Sequence, residues 1–175
     1  MSALMFGVIY LFTLMLAVSH RVIPNRFFFL IWFSVMIFLS LSLRLNFMPD
    51  PESDMGSYAM NMAITEYIPT HHAREFIFWL GSRYLYQILG DPGLVFIVMD
   101  IILFLFFYHG VRLNKNFFKE HINVGNLKYL FFGAFIFFPY HNGMINSYRQ
   151  VLATCIVLCA LGYAYEKPRR GSALL

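Results

Sequence analysis

The sequence predicts an all-α integral membrane protein, a bundle of about five transmembrane helices with one amphipathic helix outside the bilayer. Three observations favour this fold class. Hydrophobic residues make up 59% of the 175 residues and charged residues only 13%, which is too apolar for a soluble domain of this size. Apolar runs of membrane-spanning length recur along the chain. The Lys and Arg residues lie in short clusters between these runs, as topology signals do, so nucleic acid is not an expected partner despite the net charge of +4.

The first two predicted transmembrane helices are the segments 3–19 and 27–43, neither of which contains a charged residue. Each is about 26 Å long as a helix and is therefore just long enough to cross the bilayer core. A short polar turn, 20–26, joins them. No basic residue precedes the first segment, although a cleaved secretory signal normally begins with one, so we interpret this segment as an uncleaved anchor helix.

Three further segments are predicted to cross the membrane, namely 93–111, 127–140 and 147–165. The segment 93–111 contains Asp100 well below the interface. An intramembrane carboxylate usually faces the interior of a bundle, where it is paired with a cation or protonated. We therefore expect Asp100 either to serve a function or to form a structural hydrogen bond to another helix. Cys155 and Cys159, in the last segment, are expected to serve in packing.

The long segment 44–92, between the second and third transmembrane helices, is predicted to contain an amphipathic helix at 75–89. Its apolar residues recur with helical periodicity, and Trp79 and Tyr84 are suited to the level of the lipid headgroups. Arg83, in the middle of this helix, makes a full crossing expensive. We therefore expect the helix to lie at the membrane surface, and a re-entrant or spanning helix is the alternative.

The distribution of basic residues predicts the orientation of the chain. Nine of the thirteen Lys and Arg residues lie in the turn 20–26, around the loop 112–126 or after residue 165. Because loops rich in Lys and Arg stay in the cytoplasm, we expect the N-terminus outside, the C-terminus in the cytoplasm and the segment 44–92 on the outer side. In a bacterium, that outer side is the periplasm or the cell exterior.

The most informative polar residues are Arg149 and Gln150, at the start of the last apolar segment. A guanidinium at mid-bilayer costs about 2.5–3.5 kcal/mol on insertion scales and less near the interface, so a compensating partner is expected. The planar fork of Arg binds phosphate or carboxylate through two hydrogen bonds. Residues 139–143 break the preceding helix, and irregular backbone at membrane depth is tolerated only in the protein interior or beside a wet cavity. The sequence thus predicts a site for a phosphate-bearing ligand around Arg149.

Acidic residues on the same outer side are candidate general bases. Asp54 precedes Tyr58 by one helical turn, so the two side chains would share one helix face; a solvated loop explains Asp54 equally well. Glu75 begins the amphipathic helix, where a carboxylate is also favourable for structural reasons. His71 and Glu75 have the i, i+4 spacing of a metal-binding pair, but two ligands are too few, and no metal or other cofactor is expected.

These features together resemble the EpsG family of polytopic membrane proteins, relatives of the Wzy-type polymerases that join polysaccharide repeat units. The resemblance covers about residues 45–166. It is carried above all by Asn-Ser-Tyr-Arg-Gln-Val-Leu-Ala at 146–153, which is similar to the Asn-x-x-Arg-Gln-x-x-Ala signature that opens a membrane helix in the family. The weaker features are Asp54 with Tyr58, Glu75-Phe76 at the start of a helix, and Leu89-Gly90 before the third transmembrane segment.

The resemblance implies part of a C-type glycosyltransferase fold, and an activity that polymerises repeat units carried on polyprenyl pyrophosphate at the outer face of the bacterial inner membrane. Arg149 would hold the pyrophosphate leaving group with the help of Gln150, while Glu75 or Asp54 would deprotonate the acceptor hydroxyl. Further substrate contacts are implied for Tyr58, His141 and Asn146. The product would be a surface polysaccharide such as O-antigen, capsule or exopolysaccharide, and other polysaccharide-assembly membrane proteins are implied as partners.

Members of this family continue through further membrane helices after the Arg-Gln segment. The chain is therefore expected to correspond to their N-terminal half, either as an inactive fragment or as a small relative. A second hypothesis is a non-catalytic membrane protein that binds or regulates a larger membrane complex. A third, a small ion or solute carrier built around Asp100, is weaker because the sequence has no second intramembrane acid.

Overall fold

In a computed structural model of the chain, the described residues are 22–45, 54–64, 76–121 and 148–166, with the single positions 7, 11, 15, 52, 128, 130 and 131. Every regular element within these residues is a helix, and three of the helices are long and apolar enough to cross a membrane. The predicted all-α membrane helix bundle is therefore confirmed.

The helices of the described residues are α1 (Asn25–Arg44), α2 (Asp54–Ala63), α3 (Phe76–Leu89), α4 (Pro92–Leu113), α5 (Lys115–His121) and α6 (Tyr148–Glu166). Candidate membrane spans lie in α1, α4 and α6, and each contains at least 18 residues. Such a helix is at least about 27 Å long, which is close to the thickness of the bilayer core. The three helices overlap the predicted segments 27–43, 93–111 and 147–165. The segments 3–19 and 127–140 lie outside the described residues except at single positions.

The described residues of the segment 44–92 include two helices between the predicted transmembrane helices, α2 and α3, where the sequence predicted one. The shorter helix, α2, has only 10 residues and includes Gly56, which lowers helix propensity and weakens its pattern. With 14 residues, α3 is about 21 Å long and too short to cross the bilayer core. Trp79 and Arg83 of α3 are buried, whereas the exposed side of this helix is apolar and includes Leu80, Tyr84 and Ile88.

A tight turn joins α3 to α4. Gly90 ends α3 with a positive φ of 70°, a conformation that glycine adopts without strain, and its amide bonds to the Tyr86 carbonyl at 2.8 Å. Asp91 then caps α4, because its side chain accepts a hydrogen bond from the Leu94 amide at 2.8 Å. Pro92 occupies the first helical position, where its missing N–H costs nothing. These local signals place α3 directly against the beginning of α4.

The first transmembrane helix, α1, runs antiparallel to α4. At one end Gly93 lies so close to the Arg44 carbonyl that a Cβ atom at this position would clash with it. Towards the other end, the rings of Phe29 and Tyr108 meet edge to face with their centroids 5.2 Å apart. The C-terminus of α1 and the N-terminus of α4 therefore lie at the same end of the bundle.

The last helix, α6, runs parallel to α4. Near their N-termini, the rings of Phe96 and Tyr148 have centroids 6.3 Å apart. Further along, Gly110 lies against Leu158, and Gly162 lies against the end of α4. Small residues at helix contacts let backbones approach closely, as membrane helices commonly require. We refer to the end of the bundle where α1 ends and both α4 and α6 begin as the Arg149 end.

Aromatic side chains fill the centre of the bundle. Trp32 is 1% exposed, and its ring lies 4.9 Å from Phe131 and 6.2 Å from Phe104. Contacts of this kind between ring edges and ring faces add to the burial of large apolar surfaces. The free cysteines, Cys155 and Cys159, are buried on α6, and the Cys159 thiol contacts the Phe106 carbonyl at 3.2 Å.

Polar contacts connect the helices at the end of the bundle that lies opposite the Arg149 end. The Tyr165 hydroxyl donates a hydrogen bond to the Glu120 carboxylate at 2.9 Å, which links α6 to α5. The Lys128 ammonium donates to the Ile23 carbonyl at 2.6 Å, just before α1 begins. Asn114, after α4, donates to the Leu158 carbonyl of α6 at 2.8 Å.

Candidate functional site

Arg149 lies in the first turn of α6, between a fully buried Tyr148 and an exposed Gln150. Its side chain is half-buried, and its Nε atom donates a hydrogen bond to the Tyr58 hydroxyl oxygen at 3.0 Å. The two residues are 91 positions apart in the sequence. The structure thus brings together two of the predicted site residues, Arg149 and Tyr58.

Aromatic rings also surround the Arg149 guanidinium. Its central carbon, Cζ, lies 5.1 Å from the centroid of the Tyr58 ring and 6.0 Å from that of Trp79. A cation within about 6 Å of an aromatic face is attracted by the negative charge of that face, most strongly at Trp. The two rings attract the guanidinium, and the hydrogen bond to Tyr58 orients it. We call Tyr58, Trp79 and Arg149 the arginine box.

Two helices that precede α4 supply the aromatic part of the arginine box. Tyr58 of α2 is 5% exposed and Trp79 of α3 is 2% exposed, and their ring centroids are 5.8 Å apart. The same two helices are joined by Arg83, whose Nε donates to the Asn61 carbonyl at 3.3 Å. The short helices α2 and α3 therefore form one support against which Arg149 is held.

The two remaining polar candidates among the described residues are exposed. Asp54 is the first residue of α2, one turn before Tyr58. The Tyr58 side chain turns inward to Arg149, while the Asp54 side chain faces the surface. Gln150 is exposed on α6 next to Arg149. The candidates Glu75, His141 and Asn146 lie outside the described residues, although Glu75 directly precedes α3.

A buried ion pair lies at the same end of the bundle. Asp100 of α4 is 0% exposed, and its Oδ2 atom accepts hydrogen bonds from Ser40 Oγ at 2.7 Å and from Arg44 Nε at 3.1 Å. Helical side chains point towards the N-terminus of their helix, so the Arg44 side chain is directed back along α1 to Asp100. The guanidinium also lies over the Phe96 ring, 5.4 Å from its centroid.

Sequence reasoning anticipated a partner for Asp100 but did not identify Arg44. The depth of the two residues in the membrane is the sequence signal that could have identified Arg44. Arg44 ends one membrane helix, and Asp100 lies eight residues after Pro92 in an antiparallel one, about 12 Å below its start. A long Arg side chain that reaches back towards the N-terminus of its own helix covers much of that distance.

The charge and the position of Arg149 determine which ligands the arginine box could accept. A cation in the first turn of a helix faces the positive end of the helix dipole, and the first turn of α6 contains no acidic residue. The aromatic faces of Tyr58 and Trp79 offset part of this cost. The guanidinium fork suits phosphate, which it can bind through two parallel hydrogen bonds.

Comparison with known proteins gives a family and no individual relative. No curated protein and no solved structure shows a significant match to the chain. The model of the EpsG family matches residues 29–174, which include the arginine box, the Asp100 ion pair and all of helices α2 to α6. The predicted resemblance is thereby confirmed, and the chain belongs to the EpsG family, a family of membrane proteins of polysaccharide biosynthesis.

Proposed function

We propose that the chain acts as a membrane glycosyltransferase that polymerises repeat units carried on polyprenyl pyrophosphate, with Arg149 holding the pyrophosphate. The observation that carries this proposal is the arginine box: a half-buried guanidinium in the first turn of a membrane helix, oriented by the Tyr58 hydroxyl at 3.0 Å. The planar fork of this guanidinium suits a phosphate group, which Arg can bind through two parallel hydrogen bonds, and its place in the first turn of a membrane helix suits a ligand at the membrane surface.

The chemistry is a substitution at the sugar carbon that carries the pyrophosphate. A hydroxyl oxygen of the acceptor sugar forms a bond to this carbon, the bond from the carbon to the pyrophosphate oxygen breaks, and the hydroxyl proton passes to a general base. Negative charge grows on the departing pyrophosphate, and a fixed guanidinium stabilises it in the transition state. Arg149 is the group that we assign to this role.

Two carboxylates are candidates for the general base. Asp54 begins α2 and lies one helical turn from Tyr58, and Glu75 immediately precedes α3. Asp54 belongs to the helix that carries Tyr58, and Glu75 comes in the sequence directly before the helix that carries Trp79. Gln150, next to Arg149, is assigned to help bind the pyrophosphate, and substrate contacts are proposed for Tyr58, His141 and Asn146.

We further propose that the Arg149 end faces the outside of the bacterial inner membrane. Cations at the opposite end of the described bundle are Arg26, Arg112, Lys115, Lys119 and Lys128. Loops rich in Lys and Arg stay in the cytoplasm, so the positive-inside rule assigns this opposite end to the cytoplasm. The C-terminus is then inside, and with the predicted crossing by the segment 3–19 the N-terminus is outside.

The exposed side of α3 supports a lipid-linked substrate. Leu80, Tyr84 and Ile88 are 50%, 65% and 62% exposed, and they lie one turn apart along the helix that also carries Trp79. A surface of this kind is suited to the interface of a bilayer, where Tyr lies at the headgroup level. The pyrophosphate of a polyprenyl carrier would then meet Arg149 while its hydrocarbon chain remains among the lipids.

The test is complementation in a bacterial strain that lacks this gene. If the proposal is correct, the strain accumulates single repeat units, and the wild-type chain restores long polysaccharide. The variant Arg149→Ala should reduce the polymer by about 10²- to 10³-fold, as removal of a transition-state hydrogen-bond donor does. Arg112→Ala, which removes an exposed cation at the other end of α4, is the matched control and should complement fully.

Full complementation by Arg149→Ala would exclude the proposed role of this residue. Two results together would favour the non-catalytic alternative. The chain would co-purify with a larger membrane protein, and it would still complement the strain after replacement of both Asp54 and Glu75.

A further inference from the structure

Arg83 of α3 is a buried cation to which the proposed reaction assigns no role. Its side chain is 6% exposed, and its Nε atom donates a hydrogen bond to the Asn61 carbonyl of α2 at 3.3 Å. Arg83 follows Trp79 by one turn of α3. In the same way, Asn61 follows Tyr58 by about one turn of α2. The hydrogen bond from Arg83 therefore lies directly beside the contact between the two rings of the arginine box.

The Asn61 carbonyl lies at the C-terminal end of α2. It is one of the last four carbonyls of the helix Asp54–Ala63, and such carbonyls lack partners within their own helix. Cations are favourable at this negative end of the helix dipole, yet the last turn of α2 contains no basic residue. Arg83 supplies the charge from the neighbouring helix, through a hydrogen bond from a charged donor.

A helix as short as α2 depends on its neighbours for its position. It has 10 residues, and isolated helices shorter than about 12–15 residues are marginally stable in water. Its buried side chains, which include Met55, Tyr58 and Met62, contribute apolar packing, and such packing is not directional. The hydrogen bond from Arg83 adds a directional contact at the end of the helix. It thereby limits the rotation and the sliding of α2 on α3.

The rotation of α2 determines where the Tyr58 side chain points. The Tyr58 ring meets Trp79 edge to face, with 5.8 Å between the centroids. Arg149 Cζ lies 5.1 Å from the Tyr58 centroid and 6.0 Å from the Trp79 centroid. The Tyr58 hydroxyl also accepts the hydrogen bond from Arg149 Nε at 3.0 Å. A rotation or a shift of α2 would therefore change both contacts between Tyr58 and Arg149 at once.

We propose that Arg83 is a positioning residue for the arginine box. By holding the C-terminal end of α2 on α3, it keeps Tyr58 beside Trp79 at the spacing in which Arg149 lies against both rings. The inference rests on the proposed function for the ligand that the arginine box binds. It assigns to Arg83 no contact with that ligand.

Packing alone gives a poor reason for a cation at residue 83. A buried guanidinium is costly unless it is paired and hydrogen-bonded, whereas an apolar side chain of similar size fills the space without that cost. Arg83→Met therefore removes the donor and keeps most of the volume. Arg83→Lys keeps a charged donor, because an ammonium also donates to a carbonyl. Arg83→Gln, which is neutral and shorter but polar, replaces Arg83→Met in both tests below if the Met variant fails to fold.

Tryptophan fluorescence without ligand provides the first test, on the full chain in lipid nanodiscs. The sequence contains two Trp residues, so Trp32→Phe leaves Trp79 as the only reporter, 6.0 Å from Arg149 Cζ. In this background, Arg149→Gln should change the Trp79 emission, because it removes the guanidinium from the ring. Made together with Arg83→Met, the same substitution should cause less than about half of that change, since the guanidinium is already displaced. Comparing the two differences cancels any direct effect of Arg83 on Trp79.

Titration with inorganic pyrophosphate, followed by calorimetry, provides the second test. Arg83→Met should weaken binding by about tenfold, and Arg83→Lys by no more than about threefold. Adding Tyr58→Phe to Arg83→Met should cause no further loss of affinity, because the Tyr58 hydroxyl then no longer orients Arg149. Arg112→Met, which removes an exposed cation at the other end of α4, is the matched control and should bind as the wild type does.

Two results would overturn the positioning role. One is an Arg149→Gln effect on Trp79 emission that is absent, or that is equally large with and without Arg83→Met. The other is a loss of affinity that adds when Arg83→Met and Tyr58→Phe are combined, which would indicate that Arg83 contacts the ligand directly.

The failure of the proposed function would give a different result. If the wild-type chain binds no pyrophosphate, but the emission change caused by Arg149→Gln depends on Arg83, then the anion-binding role is wrong and the positioning of Arg149 by Arg83 is supported.

Discussion

Tyr58 contacts Arg149 in two distinct ways, and the contributions can be separated. Its hydroxyl accepts the hydrogen bond from Nε at 3.0 Å, whereas its ring faces the guanidinium at 5.1 Å. The ring contact attracts the cation without fixing the rotation of its plane. The hydrogen bond defines that rotation, and the rotation determines whether the guanidinium can donate two parallel hydrogen bonds to a phosphate.

Tyr58→Phe should therefore weaken binding of inorganic pyrophosphate while leaving the fold intact. A hydrogen bond to a charged group contributes about 1.5–3 kcal/mol. If part of this free energy serves to orient Arg149 for the ligand, losing the bond should lower the affinity for pyrophosphate by about three- to tenfold. The measurement is a pyrophosphate titration followed by Trp fluorescence, in a Trp32→Phe background that leaves Trp79 as the single reporter. The control is Tyr84→Phe on the exposed side of α3, for which no change is expected. Equal affinities for wild type and Tyr58→Phe would show that the hydroxyl does not orient Arg149.

At the scale of elements, close packing between α1 and α4 determines how the Arg149 end is assembled. Gly93 lies in the first turn of α4 against the Arg44 carbonyl, and the Arg44 side chain continues from there to Asp100. A side chain at residue 93 would separate the two helices at the position of the ion pair. Gly81 of α3, by contrast, has open space where a Cβ atom would lie.

These two glycines should respond oppositely to the same substitution. Gly93→Ala should destabilise the fold by about 1–3 kcal/mol, as overpacking does. Gly81→Ala should stabilise it by about 0.5–1 kcal/mol through better helix propensity. Thermal unfolding of the full chain in detergent measures both effects. If Gly93→Ala proved as stable as Gly81→Ala, the close contact between α1 and α4 would be disproved.

At the scale of the whole molecule, the directions of the three long helices place different charged residues at the two ends of the bundle. The helix α1 is antiparallel to α4, and α6 is parallel to it. The C-terminus of α1 and the N-termini of α4 and α6 lie at one end of the bundle, together with Arg44, Asp100 and Arg149. Exposed cations of α4 and α5, such as Arg112 and Lys119, lie at the other end. This segregation is the basis for the proposed orientation, since cytoplasmic loops are enriched in Lys and Arg.

Reporter insertions should reveal this orientation directly. Alkaline phosphatase inserted after Ile64, following α2, should be active because it is exported, whereas the same insertion after His121, following α5, should be inactive. A fluorescent protein that matures only in the cytoplasm should give the reverse pattern at the same two positions. Phosphatase activity after His121 together with fluorescence after Ile64 would invert the proposed topology.

The sequence by itself determined the class of protein and the residue at its candidate site. Composition and the length of apolar runs are local properties, so they predicted the membrane helices, and the polar start of one such run singled out Arg149 together with the family signature. The predicted ends of α1, α4 and α6 differ from the observed ones by one or two residues. In the case of α4 this is because Asp91 and Asn114 cap the helix just beyond its apolar run. The second helix of the segment 44–92 was not predicted, since α2 is short and contains a glycine.

Only the tertiary structure decided which residues meet. The hydrogen bond between Arg149 and Tyr58 spans 91 residues of sequence, and the bond between Arg44 and Asp100 spans 56. Such pairs depend on which helices are neighbours and on their relative depth, and helix packing sets both rather than any local pattern. Glycines allow α4 to approach its neighbours closely, and that approach brings Tyr148 against Phe96 while Arg149 faces Tyr58 and Trp79. The sequence thus identified the cation, and the packing of the helices determined its surroundings.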